Sequence, residues 1–313
     1  MRWTNKAKIQ KACALLPGGD VLYRQIQRRY GRLNADPFKR LPQHAAMLRR
    51  LHELGFRVEG ARCLEVGTGH LPIAPLAFVL LGAAEVVTVD LHRRLDTELT
   101  TEMIRRLVAA GDEIAELYRG LVDPARLADR LAALAALPSG SPADLRKVHV
   151  HYAAPGDAAR MPDADDTFDL SFSMTVFEHV TPPALAAILD EARRVLRPDG
   201  FAAHLIDPSD HFAHQDAGIT RINFLRFSER EWQRVGGNEF SYCNRLRAPA
   251  LERLFTDAGF AIERRLPTVD ERSVAAVKRG FPVHPDYRDY DLEDLCTTEL
   301  EIYARPRAKV HQR

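Results

Sequence analysis

Apolar and polar positions along the 313 residues alternate between two kinds of stretch. Short apolar runs bounded by Gly, Pro, Asp or Ser predict buried strands at about residues 63–66, 83–90, 148–152, 169–173, 201–206, 260–266 and 298–304. Between them the spacing of apolar residues shifts to three and four. Residues 71–81 are apolar on nearly every side and predict a helix buried against a sheet, stopped by Gly82. Residues 96–137 carry enough helical periodicity for two or three helices, and residues 182–196, 248–258 and 292–295 for one each. The predicted architecture is α/β: a seven-stranded, mostly parallel sheet with helices on both faces. Residues 1–60 show no strand pattern. Ile9, Cys13, Leu15, Leu16, Val21, Leu22 and Ile26 recur at helical spacing, broken at Pro17-Gly18-Gly19, with Lys6, Lys8, Lys11, Arg24, Arg28 and Arg29 around them. We read a helix whose apolar side packs on the main domain and whose basic side is solvated. A membrane-surface helix is the second reading, disfavoured by the short apolar face. Residues 44–54 predict a further helix closed by Gly55.

Candidate chemistry concentrates where strands end. The first strand runs into Gly67-Thr68-Gly69-His70-Leu71-Pro72, and the second ends on Asp90. Strand, glycine turn, helix, strand and acid form a βαβ unit for an adenosine-containing cofactor. Glycines let the backbone bend and approach a ligand without a Cβ, and the acid can accept ribose hydroxyls. Pro72 stands where a dinucleotide fingerprint has its third glycine. Glu65, two residues before Gly67, would repel a pyrophosphate and attract an ammonium or sulfonium.

This arrangement resembles the first motif of class I S-adenosylmethionine-dependent methyltransferases, in which an acid on the first strand contacts the methionyl end. The resemblance extends through Asp157-Ala158, placed as the family places its adenine-binding pair. It continues through the stretch from Phe168-Asp169 to Glu178-His179, with Ser173 at the strand end, and Leu196-Arg197-Pro198-Asp199-Gly200 before the fifth strand. It covers residues 61–305, most closely 61–91 and 155–206, with departures at His70 and Pro72. It implies a Rossmann-like sheet and S-adenosylmethionine as donor, with S-adenosylhomocysteine as product. Glu65, Gly67, Thr68, Gly69, Asp90, Leu91, Asp157, Ala158 and Ser173 would hold the donor. It also implies a helical lid over residues 1–60 that covers the cofactor, with Tyr23 and Tyr30 as pocket candidates. Insertions fall at about 96–140 and 207–247, and 306–313 form a tail.

The acceptor side is less determined. Residues 207–216 place Asp207, Asp210, His211, His214 and Asp216 just past the fifth strand. They read as a base, His211 oriented by Asp207 or Asp210, as ligands of a divalent metal, or as a polar loop with helix caps. His179 is a second candidate base. No metal is assigned. His92 and Arg93 are candidates for the adenosine pocket. Phe224, Phe227, Trp232, Phe240 and Tyr242 are candidates for an aromatic acceptor wall, with Asn244 and Arg245 either binding a polar acceptor or tying the loop down. Ser228 and Glu231 have the spacing of a capping box.

Composition narrows the partner. Forty-four basic and 43 acidic residues leave a net charge of +1, which gives no electrostatic case for nucleic acid. Four cysteines, Cys13, Cys63, Cys243 and Cys296, lie far apart with no C-x-x-C pair and suggest neither a zinc ribbon nor a disulfide framework. There is no apolar run of membrane-spanning length and no secretory signal pattern, so a cytoplasmic protein is expected. The expected reaction is in-line methyl transfer to an oxygen or nitrogen of a small-molecule or saccharide acceptor. An NAD-linked oxidoreductase and a catalytically silent binding module are the rival readings.

Overall fold

A computed structural model describes residues 1–16, 18, 19, 22, 23, 34–238, 240 and 242–307. Seven strands form one sheet: β1 (Arg62–Val66), β2 (Glu85–Val89), β3 (Val150–Ala153), β4 (Phe168–Met174), β5 (Leu196–Ile206), β6 (Phe260–Val269) and β7 (Thr297–Pro306). Their spatial order is β3-β2-β1-β4-β5-β7-β6. Strand β7 runs antiparallel to both its neighbours, and the other pairings are parallel. The order reverses between β1 and β4, so a crevice opens at their carboxyl ends, where ligands bind in sheets of this kind.

The helices are α1 (Trp3–Ala14), α2 (Leu41–Glu53), α3 (Ile73–Leu80), α4 (Thr97–Ala109), α5 (Gly111–Leu117), α6 (Pro124–Ala135), α7 (Pro142–Leu145), α8 (Pro182–Val195), α9 (Glu229–Val235), α10 (Ala248–Asp257), α11 (Glu271–Lys278) and α12 (Leu292–Cys296). Alternation along the strands divides the interior in two. Cys63, Val86, Val150 and Phe172 pack with α2, α3, α4 and α6 on one face. Leu64, Val66, Val89 and Ala202 pack with α8 and α10 on the other. The predicted insertion resolves into α4, α5 and α6, with Asp96 and Asp123 capping the first and third through bonds to the Leu99 and Arg126 amides. Among the described residues no helix is long and apolar enough to cross a membrane.

Several expectations are corrected. Helix α2 packs into the main domain: Leu48 and Leu51 lie in the main core, and Arg50 bonds Glu301 on β7 at 2.8 Å. Helix α1 buries Ala7, Gln10 and Cys13, whereas Ile9, Leu15, Leu16 and Leu22 are exposed. Trp3 decides that phase by packing on Phe212, Phe227 and Trp232. Lys11 is not simply solvated either, since it donates to the Gln233 and Arg234 carbonyls. Pro17, Val21, Arg24, Ile26, Arg28, Arg29, Tyr30 and the end of the tail from 308 lie outside the described residues. Residues 197–200, whose Pro-Asp-Gly sequence favours a turn, are absorbed into β5. A step of two residues from Phe168 to Leu170 faces a step of five from Leu196 to Phe201, so the turn becomes a wide bulge.

Phe224 and Trp232 are fully packed with Phe212 and Phe227, so these rings build a satellite core and not an acceptor wall. Phe240 stacks on Tyr23. Arg245 bonds the Phe224 and Phe227 carbonyls and pairs with Glu229, while Asn244 donates to the Phe177 and Val180 carbonyls. Both tie the loop down. The capping box forms as its spacing predicts: Ser228 Oγ accepts from the Glu231 amide, and Glu231 returns a bond to the Ser228 amide. Ser228→Ala is expected to destabilise the protein by about 1 kcal/mol in urea unfolding. Unchanged stability would mean that α9 is held by Trp232 alone.

Candidate active site

The glycine turn between β1 and α3 is held from below. Gly67 (φ +85°) and Gly69 (φ +69°) both lie in the left-handed region. A Cβ on Gly67 would sit 2.6 Å from a Val176 methyl, whereas one on Gly69 would meet nothing. The Gly69 amide donates to Asp90 Oδ2 at 3.0 Å, and the Tyr152 hydroxyl donates to the same oxygen at 3.3 Å. Oδ1 of Asp90 keeps its capacity to accept. Burial raises the Asp90 carboxyl to about 6, against the pull of these two donors and of Arg94.

Beside this turn lies a cleft of about 460 Å³ at the carboxyl ends of β1, β2 and β4. Gly67, Asp90, Leu91, Asp157, Ala158 and His179 all line it. Asp157 is braced by accepting the Ala159 amide at 2.9 Å. Of the two side chains singled out after β2, His92 lines the cleft but Arg93 does not: it bonds the Ala154 carbonyl, and Arg94 takes the cleft position. No described residue before 61 lines it.

Four predicted donor residues, Glu65, Thr68, Gly69 and Ser173, do not line the cleft; Gly69 serves the turn through its bond to Asp90. Glu65 is enclosed beneath the turn, where the Thr88 hydroxyl donates to it and Thr68 pairs with Thr88. Burial raises its carboxyl to about 8, with the Thr88 and Thr68 bonds opposing and the Asp90 charge adding to the rise. It is therefore largely protonated near neutral pH, and the argument that its charge repels a pyrophosphate fails. Ser173 is fully buried and bonds His204 Nδ1 at 2.8 Å, away from the cleft.

Beyond the cleft a second group assembles. Strands β4 and β5 pair in parallel, with Ser173 opposite His204. The segments that follow them, 177–179 and 207–214, are therefore brought side by side. Glu178 and His179 lie ahead of α8, which starts at Pro182. They close a separate 3-10 turn, Phe177–His179, which follows Thr175, a residue held at φ +55°. His179 stands ring to ring with His211 (centroids 4.9 Å apart), and His211 with His214 (5.0 Å). Asp207 Oδ2 lies 3.4 Å from His211 Nε2 and 3.5 Å from His214 Nε2. Asp210 faces the interior, bonded by the Phe212 amide and by Asn223 Nδ2, so the carboxylate that orients His211 is Asp207 and not Asp210. Burial works to raise the Asp207 carboxyl, but the close contact and charge of His211, the Ser209 hydroxyl bond and the charge of His214 hold it well below the ordinary carboxylate range. His211 is raised, since Asp207 and Glu178 outweigh its burial, whereas burial lowers His179 and His214. Glu178 is wholly enclosed and its carboxyl is pushed up to about 7 by burial.

Sequence reasoning missed Val176, Tyr152 and the role of Glu178. Only the last left a signal, an acid beside a histidine immediately after a buried strand.

Residues 136–204 match the family model described as a methyltransferase domain. No curated protein sequence matches the chain. Among solved structures the chain is similar to a protein provisionally described as a sarcosine dimethylglycine methyltransferase from Galdieria sulphuraria, at 15% identity over 85% of each chain with a TM-score of 0.47. It is also similar to a Pyrococcus horikoshii protein, at 17% identity over 84% of this chain and 90% of that one with a TM-score of 0.46. A third is a SAM-dependent methyltransferase from Methanosarcina mazei, at 15% identity over 83% and 98% with a TM-score of 0.45.

Proposed function

We propose, for a chain that carries a class I methyltransferase domain, that it methylates an oxygen or nitrogen of a small polar acceptor, saccharides included, with S-adenosylmethionine as donor. The observation that carries this reading is the cradle at the switch point. A left-handed glycine has no room for a Cβ, and a buried acid at the end of β2 is held by that turn's own amide. Those features fit an adenosine: Gly67 gives close backbone approach, and Asp90 Oδ1 is available to a ribose hydroxyl. Leu91 and Ala158 offer apolar surface to a base, and Asp157 an acceptor for its amino group. When bound, the donor supplies an electrophilic methyl on a sulfonium.

The protein's own work is then to align an acceptor with that methyl and to take its proton. His179 lines the cleft and touches the His211 ring, so the acceptor belongs on that side. His211, held by Asp207, is the group assigned to proton removal.

Titration calorimetry with S-adenosylmethionine, S-adenosylhomocysteine and NAD tests the reading. Micromolar binding of both adenosyl compounds and none of NAD is expected. Asp90→Ala should weaken donor binding by about tenfold to a hundredfold, the loss of one or two hydrogen bonds to a charged group. Binding of NAD alone, or an Asp90→Ala protein with unchanged donor affinity, would overturn it.

A further inference from the structure

The Glu178 carboxylate is fully enclosed, and neither of its oxygens makes a hydrogen bond. The amides of Glu178 and Asp207 bear on it electrostatically without closing a bond. A buried carboxylate left this way is strongly unfavourable unless a proton or a cation compensates it. Its neighbours are imidazoles prepared to help. His179 Nδ1 bonds the Tyr242 carbonyl at 2.7 Å. A carbonyl can only accept, so Nδ1 carries the hydrogen and the neutral ring keeps its lone pair on Nε2, 3.9 Å from Glu178 Oε1. A backbone carbonyl fixing the tautomer in this way is the usual support of a metal-binding histidine. His211 Nε2 is buried and faces Asp207 Oδ2 at 3.4 Å without closing a hydrogen bond to it. One ligand atom from each of Glu178, His179 and His211 lies within 4.8 Å of the others.

We propose that Glu178, His179 and His211 together bind one divalent transition-metal ion of the zinc type. Ligand bonds of about 2.0–2.2 Å set neighbouring ligand atoms roughly 3–3.5 Å apart, so each side chain closes in by about 1 Å or less. Two imidazoles and one carboxylate favour zinc, iron or nickel over magnesium, which prefers oxygen ligands. Asp207 Oδ2 lies 3.4 Å from the same His211 Nε2 and 3.5 Å from His214 Nε2, so it adds a second carboxylate charge beside the ion. Three protein ligands leave coordination positions open, and His179 lines the donor cleft. The use of the ion rests on the proposed function: it would hold and acidify an acceptor hydroxyl beside the donor methyl, in place of His211 acting as a free base. Binding of the ion itself does not rest on that reading.

The test uses tag-free full-length protein stripped with a chelator. It is titrated calorimetrically with ZnCl2 and, separately, MgCl2, with S-adenosylmethionine affinity measured on the same samples. One zinc ion per chain is expected, with Kd below about 1 μM, and no magnesium binding. Glu178→Gln and His211→Asn should each weaken zinc at least about tenfold. Both should leave metal-free donor affinity within about twofold, because neither side chain lines the donor cleft. Melting curves identify a variant that fails to fold, and the other variant then carries the test. Folded, donor-binding protein that takes up no stoichiometric zinc overturns the proposal, as does undiminished zinc affinity in a folded variant. Zinc uptake without donor binding would sustain this site and sink the methyltransferase reading instead.

Discussion

Gly67→Ala is expected to bind S-adenosylmethionine at least about a hundredfold more weakly than the parent protein, a loss of about 2.7 kcal/mol or more. Two independent terms add. The backbone at this position has φ +85°, which disfavours a side chain by about 1–2 kcal/mol. The new methyl also meets Val176, whose methyl carbons lie 2.6 and 2.8 Å from where it would stand. Val176 lines the cleft, so relief by moving its side chain narrows the space the donor needs. Gly69→Ala is the control. It has the same kind of backbone (φ +69°) but opens on free space, so only the first term applies and a loss of about thirtyfold or less is expected. The double variant Gly67→Ala, Val176→Ala should recover the steric part, and calorimetry on it, on Gly67→Ala and Val176→Ala singly and on the parent closes the cycle. Equal losses at Gly67 and Gly69 would show that space at Val176 is irrelevant. Full affinity in Gly67→Ala would place the donor elsewhere.

The difference between what the sequence revealed and what it hid follows from how far apart the interacting residues lie in the chain. The strand–turn–strand unit of residues 62–90 is local, and its glycines and terminal acid are read directly from spacing. The Ser228–Glu231 box is equally local. The Glu178, His179, Asp207, His211 and His214 group is not. It exists because β4 and β5 are neighbours in the sheet, so that the residues following each strand face one another across some thirty positions of sequence. Period alone could not decide which of Asp207 and Asp210 serves His211. A turn directs one carboxylate to the imidazoles and the other to the Phe212 amide and Asn223. The misphased α1 has a similar cause: one large side chain, Trp3, finds an aromatic partner surface some 210–230 residues away and outweighs the aliphatic pattern. Glu65 shows a further limit. Its position was legible, but its charge was not, because protonation depends on enclosure by Thr68 and Thr88 that no linear pattern encodes.

That protonation gives the last prediction, and its sign can be worked out. The Glu65 carboxyl is raised from an ordinary value of 4.5 to about 8 by burial. The folded state therefore holds this proton more tightly than the unfolded chain. Its stabilising contribution is complete below about pH 4.5 and is lost as pH rises through 8. Buried Glu178 and Asp210 are also raised and act in the same direction, while buried His44 and His204, both lowered by burial, act in the opposite one. The pH profile of the native protein alone cannot separate them. Glu65→Gln can, since the amide resembles the protonated acid and does not titrate. Donor-free native and Glu65→Gln proteins are expected to have similar unfolding free energies at pH 4.5. By pH 8.5 the variant should be more stable by about 2–5 kcal/mol, the upper figure being the full shift at about 1.36 kcal/mol per unit. Urea unfolding at both pH values measures this. Parallel curves for the two proteins would show that Glu65 is not linked to folding through a proton. The same proton also reports on the donor: a sulfonium or ammonium close to Glu65 favours the carboxylate. Binding of S-adenosylmethionine at pH 7 should then release a proton from the native protein, and none through this group from Glu65→Gln. Calorimetry in buffers of different ionisation enthalpy detects that release, and equal proton counts for the two proteins would leave Glu65 as a support of the glycine turn and nothing more.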